Sequence, residues 1–301
     1  MIVPPFLRPG DTVGVVSPAS WFPYEELADG LRILRDDWQL NVIEGDSLRA
    51  IDGPFAGSDD LRRADLQRLF DDPTVRAVFA ARGGYGCYRI ADGLDLTGLE
   101  ANPKWLIGFS DVTVLLSLLH NHQLVSLHGL MPRQFGDPDR AASLESVRQW
   151  LFGEIPAHYT VPVHPLNRIG QASGPLVGGN LTMLSNSIGT PTDVDLDGKI
   201  LFIEDIDETF FSLDRMLTQF RRGGRLANLA GLVVGQFTDM RGNASLPFGK
   251  DANEIIADAV SAYRYPVLFD FPAGHVPFNL ALPIGKTVTL QLTTQTAQLV
   301  F

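Results

Sequence analysis

The first half of the chain switches repeatedly between short continuous apolar runs and longer stretches with apolar residues at helical spacing. "TVGVVSPAS" (12–20) predicts a strand entering a small-residue loop, and "PYEELADGLRILRDDW" (23–38) predicts a helix. "LNVIEGD" (40–46) predicts a second strand. "SDDLRRADLQRLFDDP" (58–73) opens with a capping serine and two acids and carries Leu61, Leu66, Leu69 and Phe70 on one stripe, which predicts a second helix. "VRAVFAAR" (75–82) predicts a third strand, ending in "GGYG", and "KWLIGFS" (104–110) a fourth, followed by a helix from Asp111. Strands and helices in alternation with short connections imply right-handed crossovers and a parallel sheet. In such a sheet the loops at the carboxyl ends of the strands form the sites.

The pattern then changes. Residues 136–173 hold one amphipathic helix and a polar, Pro-containing, strand-like stretch, and predict a connecting region. Beyond it come the strand "KILFIEDID" (199–207), the helix "SLDRMLTQFRRGG" (212–224), the strand "LAGLVVGQFTDM" (229–240) and the helix "ANEIIADAVSAY" (252–263). The end, "TVTLQLTTQTAQLVF" (287–301), alternates like an antiparallel hairpin. The reading is α/β: a parallel-sheet domain over 1–135, a connection over 136–173, and a mixed, β-rich domain over 174–301.

Composition narrows the partners. A chain of 301 residues with 45% hydrophobic and 20% charged residues has the make-up of a soluble globular protein, and its length favours two domains. The formal charge of −11 argues against nucleic acid or an anionic membrane surface as partner. The N-terminal stretch lacks a basic segment followed by a long apolar one, so a secretory signal is not expected, and no apolar run is long enough for a membrane span. One cysteine, Cys87, excludes an intramolecular disulfide and fits a cytoplasmic location. Neither an H-E-x-x-H sequence nor a cysteine pair is present, so no metal site is expected.

Three joints carry chemistry. In "WLIGFSDVTVLL" Ser110 stands between a strand and a helix, two residues after Gly108. A serine there is either a helix cap or a nucleophile on a sharp turn. The hydrolase elbow G-x-S-x-G is matched only in its first half, because Val112 replaces the second glycine, which argues against an ordinary α/β-hydrolase. "ARGGYGCYR" offers Gly83, Gly84 and Gly86 as backbone donors to an anion, without the spacing of a nucleotide loop, and Cys87 beyond it reads as a small buried apolar residue. A nucleophile needs a base. Among six histidines, His275 in "DFPAGHVPFNLALPIG" ranks first by environment and His128 in "SLHGLMP" second. The orienting acid is sought at a strand end, where Glu204 follows four apolar residues and Glu208 is the fallback.

With these residues in view, the chain resembles the LD-carboxypeptidase (muramoyltetrapeptide carboxypeptidase) family of serine peptidases, relatives of the microcin-immunity peptidases. The likeness runs through "LRPGDTVGVVSPAS", "ARGGYG", "IGFSDVTVLL", "LHGLMP", "GPLVGGNLTML", "KILFIEDIDE" and "PAGHVPFNLALPIG". The resemblance implies a flavodoxin-like N-terminal domain carrying the nucleophile Ser110, and a C-terminal domain carrying the general base His275 and its orienting acid Glu204. It implies an active site at the domain interface and oxyanion donors at the amides of Gly84 and Asp111, with Gly83 the alternative to Gly84. It also implies a cofactor-free cytoplasmic homodimer that cuts terminal D-alanine from the L-centre of a diamino acid in murein tetrapeptides. Arg82 is a candidate for the free carboxylate of such a substrate, and a structural ion pair is the competing role. Two alternatives stand beside this reading. One is a microcin-immunity-type peptidase acting on aminoacyl-adenylate mimics, whose extra loop and nucleobase aromatic are not evident in the short connecting region around Trp150. The other is a non-catalytic peptide- or nucleotide-binding module.

Overall fold

A computed structural model describes residues 1–301 as a mixed α/β chain with two compact units. The first comprises Met1–Ile155, Gly189–Thr192 and Pro277–Gly285, and the second Pro156–Ile188, Asp193–Val276 and Lys286–Phe301. No helix is long and apolar enough to cross a membrane.

In chain order the first unit holds β1 (Thr12–Val16), α1 (Ala28–Arg32), β2 (Asn41–Glu44), α2 (Asp59–Asp71), β3 (Val75–Ala80), α3 (Cys87–Ala91), α4 (Thr97–Ala101), β4 (Trp105–Gly108), α5 (Thr113–Asn121), β5 (Ser126–His128) and α6 (Ala141–Phe152). The second holds β6 (His158–Val161), β7 (Gly170–Asn180), α7 (Leu181–Ser187), β8 (Ile200–Ile206), α8 (Phe210–Arg222), β9 (Gly231–Thr238), α9 (Ala252–Ala259) and β10 (Val267–Leu268). The chain then adds β11 (Leu282–Ile284) to the first unit and β12 (Thr287–Leu292) and β13 (Ala297–Val300) to the second.

The first sheet has the order β11-β5-β4-β3-β1-β2. Every pairing is parallel except that of β11 with β5, where Leu282 lies opposite His128. The run β2-β1-β3-β4-β5 is the flavodoxin-like order, whose switch point falls between β1 and β3. Buried Val15, Phe79 and Ile107 on one face and Val16, Val78 and Leu106 on the other make its strands apolar on both faces, as a covered parallel sheet requires. α2 starts where Ser58 Oγ accepts from the Leu61 amide at 3.2 Å, with Asp59 and Asp60 in the first turn favoured by the helix dipole. The helix expected over 23–38 is a composite: a 3₁₀ turn at Tyr24–Leu27, then α1, then a π turn at Ile33–Asp37.

The second sheet has the order β10-β9-β8-β7-β12-β13-β6, parallel from β10 to β7 and antiparallel from β7 to β6. β12 and β13 form the terminal hairpin that the alternation predicts. Val177, Leu201, Ile203, Leu213, Leu217, Val234 and Ile256 belong to the apolar core of this unit. α9 opens with a reciprocal capping box between Asp251 and Glu254. It stops at Ala259 rather than running to Tyr263, because Ser261 Oγ donates to the Asp258 carbonyl at 2.8 Å and closes the last turn.

Candidate active site

Three loops of the first unit meet at the carboxyl ends of β1, β3 and β4. β4 ends at Gly108, Phe109 is extended (φ −151°, ψ −173°), and Ser110 sits in the left-handed region at φ 65° before a 3₁₀ turn leads into α5. A non-glycine residue held there stores roughly 1–3 kcal/mol of strain, and such residues cluster at functional sites. The cap reading of Ser110 gives way. Phe109 and Val112 are the cap residues of the 3₁₀ turn and α5, and neither start has a side-chain cap bond. Gly108 is needed because a Cβ there would lie 2.8 Å from Val112 Cγ1. The valine that replaces the second elbow glycine is therefore accommodated by the first.

The glycine loop after β3 packs against this turn. A Cβ on Gly83 would lie 3.0 Å from Ser110 Cβ and 3.2 Å from its Oγ, so only glycine lets the loop come this close. Gly84 and Gly86 follow at φ 113° and 141°. The amides of Gly84 and Asp111 donate to no backbone or side-chain acceptor of the chain, and Gly83 also keeps its amide uncommitted. Uncommitted amides beside a serine hydroxyl are what an oxyanion hole requires. Arg82, half-buried, donates from Nη1 to the Trp21 carbonyl at 2.9 Å. Burial first, then the nearby Arg133 charge, lowers its pKa against the opposing pull of Glu26. Glu26 itself pairs with Arg133 at 2.5 Å, and Arg82 pairs with no carboxylate, so the ion-pair role does not hold. Cys87 opens α3 fully buried, and desolvation pushes its thiol well up, which makes it a poor nucleophile.

The second unit holds the acid and the base. Glu204 lies near the end of β8, opposite Asn180, where the β8–β9 register shifts between Ile203 and Asp205. The irregularity lets two successive acids go inward. Glu204 is fully buried, and its Oε2 lies 2.8 Å from Nδ1 of His275, whose side chain is 16% exposed. An ionised carboxylate only accepts, so Nδ1 donates and the neutral ring keeps Nε2 as its basic nitrogen. Oε1 is buried without a hydrogen bond. Gly274, at φ 125°, closes over this carboxylate: a Cβ there would lie 2.9 Å from Oε2.

Asp205, the acid next to the preferred Glu204, is the most elaborately held acid of this unit. It accepts from Asn180 Nδ2 at 2.8 Å, from Thr182 N and Oγ1 at 3.0 and 2.9 Å, and from Ile206 N at 2.9 Å. Desolvation and then the Glu204 charge push its carboxyl up to about 6. Glu208 accepts from Thr182 Oγ1 at 3.3 Å, so of the two acids considered it is Glu204 that holds His275. His128, the second choice as base, is fully buried on β5 beside Gly108, with its ring 5.6 Å from that of Phe109. Ser110, Gly83, Gly84, Asp111 and Arg82 thus lie together in the first unit, and Glu204 with His275 in the second.

Family profiles match both halves: the LD-carboxypeptidase N-terminal domain over residues 13–129 and the LD-carboxypeptidase C-terminal domain over residues 173–290. The chain belongs to the LD-carboxypeptidase family and is a peptidase of the serine type. A Bacillus subtilis (strain 168) relative named a probable murein peptide carboxypeptidase is 37% identical over 302 residues, covering 98% of this chain and 93% of the relative. A Pseudomonas aeruginosa relative named murein tetrapeptide carboxypeptidase is 34% identical over 294 residues, covering 93% and 92%. The crystal structure of muramoyltetrapeptide carboxypeptidase from Oxalobacter formigenes is similar with a TM-score of 0.85 and 30% identity, over 96% of this chain and 97% of that one.

Proposed function

We propose that the chain is a serine LD-carboxypeptidase that releases the terminal D-alanine of murein tetrapeptides by cutting its bond to the L-centre of a diamino acid. The names of its relatives support the substrate class, and the buried Glu204–His275 bond of 2.8 Å is the observation that carries the chemistry. Ser110 Oγ adds to the scissile carbonyl carbon while His275 Nε2 takes its proton. The carbonyl electron pair moves onto oxygen, where the amides of Gly84 and Asp111 receive it. Collapse breaks the C–N bond, and the imidazolium hands its proton to the departing amine of D-alanine. Water, deprotonated by His275, then adds to the serine ester, and expulsion of Ser110 Oγ frees the shortened peptide. Glu204 holds the imidazole by Nδ1 and stabilises its charged form throughout.

Arg82, with its guanidinium bound to a carbonyl and no carboxylate partner, takes the free carboxylate of D-alanine in this scheme. The enzyme works without a cofactor, as a cytoplasmic homodimer with its nucleophile on the N-terminal and its acid and base on the C-terminal domain. Incubation with a murein tetrapeptide, followed by mass analysis for loss of D-alanine, tests the reading beside an aminoacyl-sulfamoyl-adenylate control. Release of D-alanine is expected; cleavage of the control alone assigns the chain to microcin-type chemistry instead.

A further inference from the structure

The glycine loop is tied to its neighbours at four peptide groups, while the amides of Gly83 and Gly84 stay uncommitted. The Gly83 carbonyl accepts from the Ser20 amide at 3.4 Å, and the Tyr85 amide donates to Ser20 Oγ at 3.0 Å. The Gly86 carbonyl accepts from Arg62 Nη1 at 3.0 Å, and the same nitrogen donates to the Pro18 carbonyl at 2.6 Å. Arg62 is fully buried on α2, so one guanidinium joins the loop after β1 to the loop after β3. The Cys87 amide donates to Asp111 Oδ2 at 2.8 Å. That bond runs directly from the serine turn to the glycine loop. Asp111 is 1% exposed, and desolvation raises its carboxyl against the favourable pull of the Cys87 amide and the Arg62 charge. Burying a carboxylate costs stability unless donors and a counter-charge offset it; here the Cys87 amide holds Oδ2 and the charge of Arg62, which pairs with Asp59, eases the burial, while Oδ1 has no hydrogen-bond partner.

We propose that the Asp111 carboxylate and the Arg62 guanidinium are positioning residues that lock the glycine loop to the serine turn, so that the amides of Gly84 and Asp111 point at one oxygen. The inference rests on the serine-peptidase reading given above. Asp111 then acts twice: its amide is one donor, and its side chain sets the aim of the other. A loop free to drift by a fraction of an ångström still binds substrate but loses the donors' alignment with the tetrahedral oxygen, whose charge exists only in the transition state.

The experiment compares Asp111→Ala, Asp111→Asn and Arg62→Lys with wild type, per mole of folded enzyme. It reads kcat and KM on a murein tetrapeptide and the affinity for a peptide boronic acid whose boron replaces the scissile carbonyl carbon. Every variant keeps the Asp111 amide, so only aim is altered. Asp111→Ala is expected to lower kcat by about 10- to 100-fold, short of the loss of a whole oxyanion donor, and to weaken the boronate by a similar factor at unchanged KM. Asn retains an acceptor for the Cys87 amide and restores most of the loss. Should the alanine variant not fold, Arg62→Lys decides, because the lysine nitrogen ends one bond short of Nη1, the atom that reaches both the Pro18 and the Gly86 carbonyls: kcat falls at unchanged KM. Unchanged kcat and boronate affinity, or a rise in KM alone, overturns the inference. The variant-to-wild-type ratio is also read on an activated p-nitrophenyl ester, so a wild type that spares the tetrapeptide refutes the substrate reading while the ester ratio still decides the loop: a fall supports the inference and an unchanged ratio overturns it.

Discussion

Ser110 itself is presented by backbone conformation, whereas His275 is presented by a buried side-chain charge. The serine is presented by a left-handed residue between a strand and a 3₁₀ turn, with glycines where a Cβ would strike Ser110 or Val112. The histidine is presented by a fully buried glutamate with one orphaned oxygen, next in sequence to a second buried acid. The first arrangement stores its cost in backbone conformation and the second in desolvated charge. They should therefore fail differently, the serine turn to changes of shape and the acid–base pair to changes of charge.

Five substitutions and one control press on that contrast. Ser110→Ala removes the nucleophile and should lower kcat by about 10⁵- to 10⁶-fold, read as D-alanine release. Glu204→Gln keeps the shape but removes the charge that steadies the imidazolium, and kcat should fall by roughly 10³- to 10⁴-fold. Asp205 gives the pH signature. Its carboxyl is raised in the fold to about 6, so the stability tied to its neutral form is complete below the unfolded value and is lost as pH climbs through 6. Wild type should lose about 2 kcal/mol relative to Asp205→Asn between pH 4 and pH 7.5, in denaturant titrations at both pH values; a pH-independent difference contradicts the account. Gly274→Ala drives a methyl onto the Glu204 carboxylate and should cost about 2 kcal/mol together with activity. Gly224→Ala, at φ 75° in open space, is its control and should cost only about 1 kcal/mol with activity intact. Smallest is Ser110→Gly, which relieves the left-handed serine and should raise stability by about 1 kcal/mol while abolishing turnover.

The serine turn was legible because it is local. An apolar run, a glycine, a serine and a second apolar run specify strand, turn and helix within a dozen residues, and the parallel sheet follows from their repetition. Glu204 and His275 were legible as residue types at strand and loop ends, while their 2.8 Å bond joins positions 71 residues apart and required the fold. Arg62 and Asp205 were not legible. Arg62 stands in a charged stretch of an amphipathic helix, and Asp205 at the acidic end of the strand expected over 199–207, where composition gives no sign of burial. Only tertiary neighbours, the carbonyls of Pro18 and Gly86 for one and Asn180 with Thr182 for the other, bury them. β11 was missed for a related reason: three residues in a loop-rich stretch gain their strand character by pairing with β5, more than 150 positions upstream.

The central claim is that Ser110 carries the acyl group. Intact-mass and peptide-mass analysis after rapid acid quench of Glu204→Gln with an activated ester of the murein peptide tests it most directly, because the better leaving group speeds acylation alone and lets the serine ester accumulate. The account predicts an adduct equal to the shortened peptide less water, on the fragment containing Ser110 and absent from the Ser110→Ala, Glu204→Gln double variant. An adduct on another residue, or D-alanine release by Ser110→Ala at the wild-type rate, would contradict it.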